Sequence, residues 1–358
     1  MSTRMIAVKD LVSGMIIGEP VLSASGKTLL GKDVVITART ISLLLMWDVH
    51  TILVVDDTST SESVPAQPAA AATAQSHISE DFVTFFNEYD RVITSASQSF
   101  DLIRKYNKIP VQELKDTSFS IYSTVLTTGP AIMDYLLVSD YNLADKVARH
   151  SVMVAFISSI IGRKLKMTDE QIHVLILAGL LHDVGKMVIA KDADNHPYSH
   201  VVHGGKLLQH VPSMPQEVLL SILQHHECMD GTGAPAGSAG DKIHPYARII
   251  AVADLFHQQA YIGEHANPFP VLESMSKEMF GKFDQSVCQP FIRHVRDCLI
   301  NSTVLLSDER TGQVIFFNSN KLDQPIIKTD NGTIIDLATT KNIYIKRLVN
   351  QEYLANVI

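Results

Sequence analysis

Leu180-Leu181-His182-Asp183-Val184-Gly185-Lys186 ends the longest apolar run of the chain, Val174 to Leu181, with a histidine and an aspartate side by side. A second pair, His225-His226-Glu227, begins 43 residues after His182 and runs into Asp230-Gly231-Thr232-Gly233-Ala234-Pro235. Farther on, Asp254 closes the segment Ala247-Arg248-Ile249-Ile250-Ala251-Val252-Ala253-Asp254. Adjacent His-Asp and His-His pairs are unusual in soluble sequence. Together they offer imidazole and carboxylate ligands for more than one metal ion.

Working outward, Thr168 and Gln171 have the spacing of a capping box. The helix they start carries Ile172, Leu175, Ile176, Leu177, Leu180 and Leu181 nearly all round, which predicts a buried helix. Such a helix delivers His182 and Asp183 at its C-terminal end, inside a bundle. The pattern is almost wholly helical over 79–299, as in the spacing of Phe82, Phe85, Phe86, Tyr89, Val92 and Ile93.

Both flanks differ. Over 1–56, Met5–Val8, Met15–Ile17 and Thr51–Val55 read as strands, and Thr37–Trp47 has helical spacing. This predicts a small α+β module with a regulatory or structural role. Residues 57–78 are rich in Ala, Pro and Ser, lack aromatic residues, and predict a linker. Residues 300–358 predict a β tail, with strands at 303–306, 313–317, 325–328, 334–337 and 342–348 and a hairpin turn at Asp330-Asn331-Gly332. The predicted fold class is mainly α: a helical bundle with a small α+β module before it and a short β unit after it.

Composition restricts the function. The chain has 358 residues, 46% hydrophobic and 19% charged, so it is globular. A net charge of −8 argues against broad binding to nucleic acid or anionic membrane. Cys228, Cys288 and Cys298 form no CxxC pair and fit a reducing cytoplasm. No signal segment and no apolar run of roughly 18–20 residues is present, so the expected location is cytoplasmic, with no membrane partner.

The stretch from about 140 to 295 resembles an HD-GYP domain, the bacterial phosphodiesterase module of cyclic di-GMP signalling. The resemblance implies an HD fold and a metal set of His150, His182, Asp183, His200, His225, His226 and Asp254. It implies that Asp183 bridges two ions, that Lys186 faces the scissile phosphate, and that Gly231, Gly233, Ala234 and Pro235 belong to the substrate loop. Phe283-Asp284 with Phe291 resembles the family's closing pattern. The segment between Lys186 and His200 is shorter than in the family, which leaves His196 and His203 as alternatives to His200, and Asp192 and Asp194 as neighbouring carboxylates. His173 and His210 read as ordinary histidines. Three-metal members carry Glu one turn before the first histidine; here that position is Lys146, so two transition-metal ions are expected, iron first and manganese second.

The departures concern substrate. Ala234 stands where the motif has tyrosine. After Asp254 the family continues with Asp-Ala-Leu and Arg-Pro-Tyr-Arg, whereas this chain has no Arg or Lys between Arg248 and Lys277. His257 or His265 would replace those phosphate clamps only in part, and each lost charge-assisted bond removes roughly 1.5–3 kcal/mol. The expected function is metal-dependent hydrolysis of cyclic di-GMP by a hydroxide bridging two metal ions, with Asp183 and Lys186 as catalytic groups. The alternatives are a catalytically weak cyclic-dinucleotide receptor or scaffold with a signalling protein partner, and a hydrolase of another phosphoester.

Overall fold

The computed structural model describes residues 80–136, 146–188, 196–261, 267–318 and 321–349, and parts of 3–55. The expected linker 57–78 lies outside the described residues, as do Asp192, Asp194 and His265 and most of the helix expected over 37–47. The chain divides into two compact units. One comprises residues 1–78, 140–144 and 349–358, and the other residues 79–139 and 145–348.

In the first unit, β1 (Thr3–Ala7) pairs antiparallel with β4 (Thr51–Val55), and β2 (Val21–Leu22) pairs with β3 (Thr28–Leu30). Val8, Ile17, Leu30, Ile36, Leu44 and Val54 are buried there. Over the strand expected at Met15–Ile17, Ile16 and Ile17 are bridge residues, Ile17 pairing antiparallel with Val54. Gly18 N–H donates to Leu53 O and Val55 N–H to Ile16 O on one side, and Ile17 N–H to Val34 O and Ile36 N–H to Met15 O on the other.

The second unit is mainly helical. Its helices are α1 (Glu80–Tyr106), α2 (Val111–Leu136), α3 (Lys146–Lys164), α4 (Asp169–Leu181), α5 (Ser199–Leu208), α6 (Gln216–Gln224), α7 (Pro245–Tyr261), α8 (Pro268–Glu278) and α9 (Gln285–Leu299). The capping box forms as expected: Thr168 Oγ1 accepts from Gln171 N–H, and Gln171 Oε1 accepts from Thr168 N–H. On α4, Ile172 and every residue from Leu175 to Leu181 are buried, so the all-round apolar pattern does mark an interior helix. On α3, every residue from Ala148 to Gly162 is buried. These two helices pack on each other, and α7 packs on α3.

The β tail forms one antiparallel sheet. β5 (Thr303–Leu306), β6 (Thr311–Asn318), β7 (Lys321–Thr329), β8 (Ile334–Asp336) and β9 (Ile345–Val349) lie in the order β8-β7-β6-β5-β9. The turn at Asp330-Asn331-Gly332 joins β7 to β8, with Gly332 at φ 84°. The sheet is fastened to α8. Glu273 accepts from Leu322 N–H at 2.7 Å, and Phe269 stacks on Phe317.

Candidate metal centre

Three helix ends and two helix interiors converge on one buried spot. The carboxyl end of α4 supplies His182 and then Asp183. The turn Val184–Met187 follows and carries Lys186 back, with Lys186 N–H donating to Asp183 O at 2.9 Å. Helix α5 brings His200 and the end of α6 brings His225 and His226, while His150 and Asp254 project from within α3 and α7.

Two donor groups result. His150, His182 and Asp254 place one ligand atom each within 4.8 Å of one another, and so do His200, His225 and His226. Asp183 stands between them. Its Oδ2 is 3.3 Å from His182 Nε2 and 3.5 Å from His150 Nε2, whereas its Oδ1 is 3.4 Å from His200 Nε2. Lys186 Nζ donates to Asp183 Oδ2 at 2.5 Å.

The donors suit cations. Asp183 Oδ1 and His225 Nε2 are buried and lack hydrogen-bond partners, an expensive condition unless something positive binds there. Burial opposes charge on Asp183, but His182 and Lys186 outweigh it and hold the carboxyl well below the usual range. Asp254 is likewise lowered against its burial, by His150 and His182. Burial pushes His225 well down and His226 down to about 4, and lowers His200. Neutral imidazoles and ionised carboxylates are the forms that ligate metal. His182 differs: burial opposes its proton, but Asp183 and Asp254 raise its pKa, which marks a spot that attracts positive charge.

The ring nitrogens are oriented by backbone at helix termini. His182 Nδ1 lies 2.8 Å from Gly179 O and His225 Nδ1 lies 2.8 Å from Ile222 O. Those carbonyls belong to last turns, whose C=O groups lack intrahelical N–H donors. His200 stands in the second group, with Nε2 3.0 Å from His226 Nε2. The alternatives point elsewhere: His203 Nδ1 faces Ser199 O at 2.8 Å, and exposed His196 accepts from Tyr198 N–H. His173 sits against Phe119 and Tyr122, and His210 against Gln209, both outside the two groups.

The loop after His226 is built on Glu227. This buried carboxylate accepts from Ala236 N–H at 2.7 Å and from Ser238 N–H at 2.9 Å. Ala234 N–H closes back on His226 O at 3.0 Å. A Cβ on Gly233 would lie 2.3 Å from Cys228 N and 2.5 Å from His226 O, so only glycine fits there. Gly231 has φ 80°. The peptide Ala234–Pro235 is cis.

Several roles were not legible in the sequence. Glu227 was visible only as part of a motif, and its function as the loop's anchor needs the folded backbone. Gln258 Nε2 donates to Asp254 Oδ1 at 2.7 Å; its position four residues after Asp254, on one helix face, was the available signal. His257, considered with His265 as a partial replacement for the phosphate clamps, is 4% exposed and has its Nδ1 2.9 Å from His150 Nδ1. Helix α7 is buried on that side, so a residue three past Asp254 turns into the bundle. Arg248 is committed to structure: it donates to Asp284, Ile243 O and Gly240 O. Phe291, of the closing pattern, packs edge-on against Phe256.

Residues 132–287 match the family described as HD domain. A cyclic di-GMP phosphodiesterase of Pseudomonas aeruginosa, PA4108, is 29% identical over 192 residues, 50% of this chain and 46% of that protein. The cyclic di-GMP phosphodiesterase PdeB of Borreliella burgdorferi is 22% identical over 226 residues, 56% of this chain and 59% of that protein. A 3'3'-cGAMP-specific phosphodiesterase of Vibrio cholerae is 32% identical over 119 residues, 30% of this chain and 26% of that protein. The chain spans about half the length of the first two relatives. Among solved structures, Bd1817 of Bdellovibrio bacteriovorus, an HD-GYP-type protein, superposes with TM-score 0.52 at 17% identity over 82% of this chain and 100% of that one, a likeness of fold. Over residues 132–287 the chain is therefore similar to the HD domain family, and its fold is like that of Bd1817.

Proposed function

We propose that this protein is a metal-dependent phosphodiesterase that opens a cyclic dinucleotide, cyclic di-GMP first. The observation that carries the reading is Asp183, whose two carboxylate oxygens each face a different donor group. His150, His182 and Asp254 would hold one ion, His200, His225 and His226 a second, and Asp183 both. Two such ions, iron or manganese on this donor set, would supply Lewis-acid activation of a water and of the phosphate.

The chain's own groups do the rest. Lys186, partly exposed beside Asp183, meets the negative charge that grows on the phosphate as the ester bond breaks. Asp254 is held in orientation by Gln258. The loop carrying Gly231, Gly233, Ala234 and Pro235 forms the substrate wall next to His226. Because Ala234 offers no ring and Arg248 is tied to Asp284, substrate binding is weak relative to chemistry.

The same two observations favour a second reading: a slow or inactive receptor that engages a signalling protein, or a hydrolase of another phosphoester. The domain plan, a regulatory module at 1–56, linker at 57–78, HD-GYP-like domain at 79–299 and β tail at 300–358, belongs to this proposal. So does a bacterial cytoplasmic setting, in keeping with Cys228, Cys288 and Cys298, which form no disulfide. Among the described residues no helix is long and apolar enough to cross a membrane.

The test is hydrolysis of cyclic di-GMP by the full chain after anaerobic reconstitution with iron or manganese. Metal-dependent release of the linear dinucleotide or GMP, with a high apparent KM, is the expected result. No turnover by metal-loaded protein at millimolar substrate leaves the receptor reading. Turnover of a different phosphoester alone leaves the other.

A further inference from the structure

The histidines of the two donor groups are not held alike. His182 and His225 each set Nδ1 against a backbone carbonyl three residues earlier, that of Gly179 and Ile222. Both sit at a helix C-terminus, where such carbonyls are accessible. His150, inside α3, is held differently: its Nδ1 faces another element.

That element is α7. His257 is buried there, its Nδ1 2.9 Å from His150 Nδ1 and the ring centroids 5.0 Å apart. The opposite nitrogen of His150, Nε2, faces Asp254 Oδ1 at 3.1 Å, His182 Nε2 at 3.2 Å and Asp183 Oδ2 at 3.5 Å. A histidine that ligates through Nε2 carries its proton on Nδ1 and needs an acceptor for it. His257 Nδ1 is the acceptor within reach.

We infer that His257 is a positioning residue: it accepts the Nδ1 proton of His150 and so presents the Nε2 lone pair of His150 to the first donor group. The inference rests on the metal reading given above. It makes α7 contribute twice to that group, directly through Asp254 and indirectly through His257. Outer partners of this kind change metal affinity by about 10–100-fold when removed.

Full-length wild type, His257→Phe and His257→Asn decide the matter by manganese content and by affinity from competition with a chelator. Phenylalanine keeps the ring and removes the acceptor. Asparagine returns an oxygen close to where Nδ1 stood. With circular dichroism unchanged, His257→Phe is expected to lose one ion per chain or to bind it about 10–100-fold more weakly, and His257→Asn to recover most of the loss. Wild-type affinity in His257→Phe overturns the inference. Equal loss in both variants overturns it too, since packing alone would then be responsible. A second measurement does not depend on metal: nitrogen–nitrogen coupling across the hydrogen bond between His150 and His257 in uniformly labelled protein. If the wild type takes up no metal, the metal reading falls, and this coupling still decides the pairing; its absence overturns the inference.

Discussion

Gly185 lies so close to His200 that a Cβ built on the glycine would sit 1.8 Å from the His200 carbonyl oxygen and 2.7 Å from Gly204 N. The turn after Asp183 and the helix bearing His200 are thus in backbone contact, and that contact brings the two donor groups together across Asp183. Gly185→Ala should push α5 outward. The expected cost is about 3 kcal/mol, a fall in Tm of roughly 6–12 °C, together with loss of metal from the His200 group. Thermal melting with elemental analysis checks it; a variant with wild-type Tm and metal content refutes the close-contact argument.

Asp183→Ala removes the carboxylate shared by both groups. Metal content should fall at both, below one ion per chain after reconstitution in iron or manganese. Full occupancy would show that each group binds on its own and that Asp183 does not connect them.

The register of the third segment is testable with two substitutions. His200→Ala should lose metal, and His203→Ala should keep it, because the His203 ring is turned to Ser199 O. The reverse pattern would move the ligand by one helical turn.

Lys186→Ala separates chemistry from metal binding. Lys186 donates to Asp183 but is not in either donor group. Metal content should be unchanged and kcat reduced on the order of 100-fold, with a smaller effect on KM. A change confined to KM would assign Lys186 to ground-state binding.

Arg248 and Asp284 form a largely buried ion pair at 3.0 Å beside α7. Burial opposes the Asp284 charge, but hydrogen bonds from Ser286 and Arg248 outweigh it and hold its carboxyl below the usual value. A depressed carboxylate stabilises the fold above its unfolded pKa of about 4, and that contribution disappears as pH falls through the folded value. Asp284→Asn keeps the cap on Ser286 N–H and removes the charge. It should cost about 1–2 kcal/mol at pH 7, with wild type and variant converging below about pH 4. Urea melts across that range measure it; a constant gap would mean that Asp284 charge is not the cause.

Elements that are strongly periodic or strongly punctuated could be read from the chain alone. The buried helix ending in His182-Asp183, its capping box, and the tail strands at 303–306 and 334–336 follow from local rules: apolar spacing, a side-chain cap and turn residues. Adjacent ligand residues were legible for the same reason, since His182-Asp183 and His225-His226 are close in the chain before they are close in space. The folded packing set whatever depends on contacts between distant segments. It set His257 against His150, 107 residues away. It committed Arg248 to Asp284, and it set His200 against His226 while turning His203 to Ser199 O. Whether a histidine side chain meets a metal, a carbonyl or another ring is fixed by which helix packs beside it, and one chain's local pattern does not encode that neighbour.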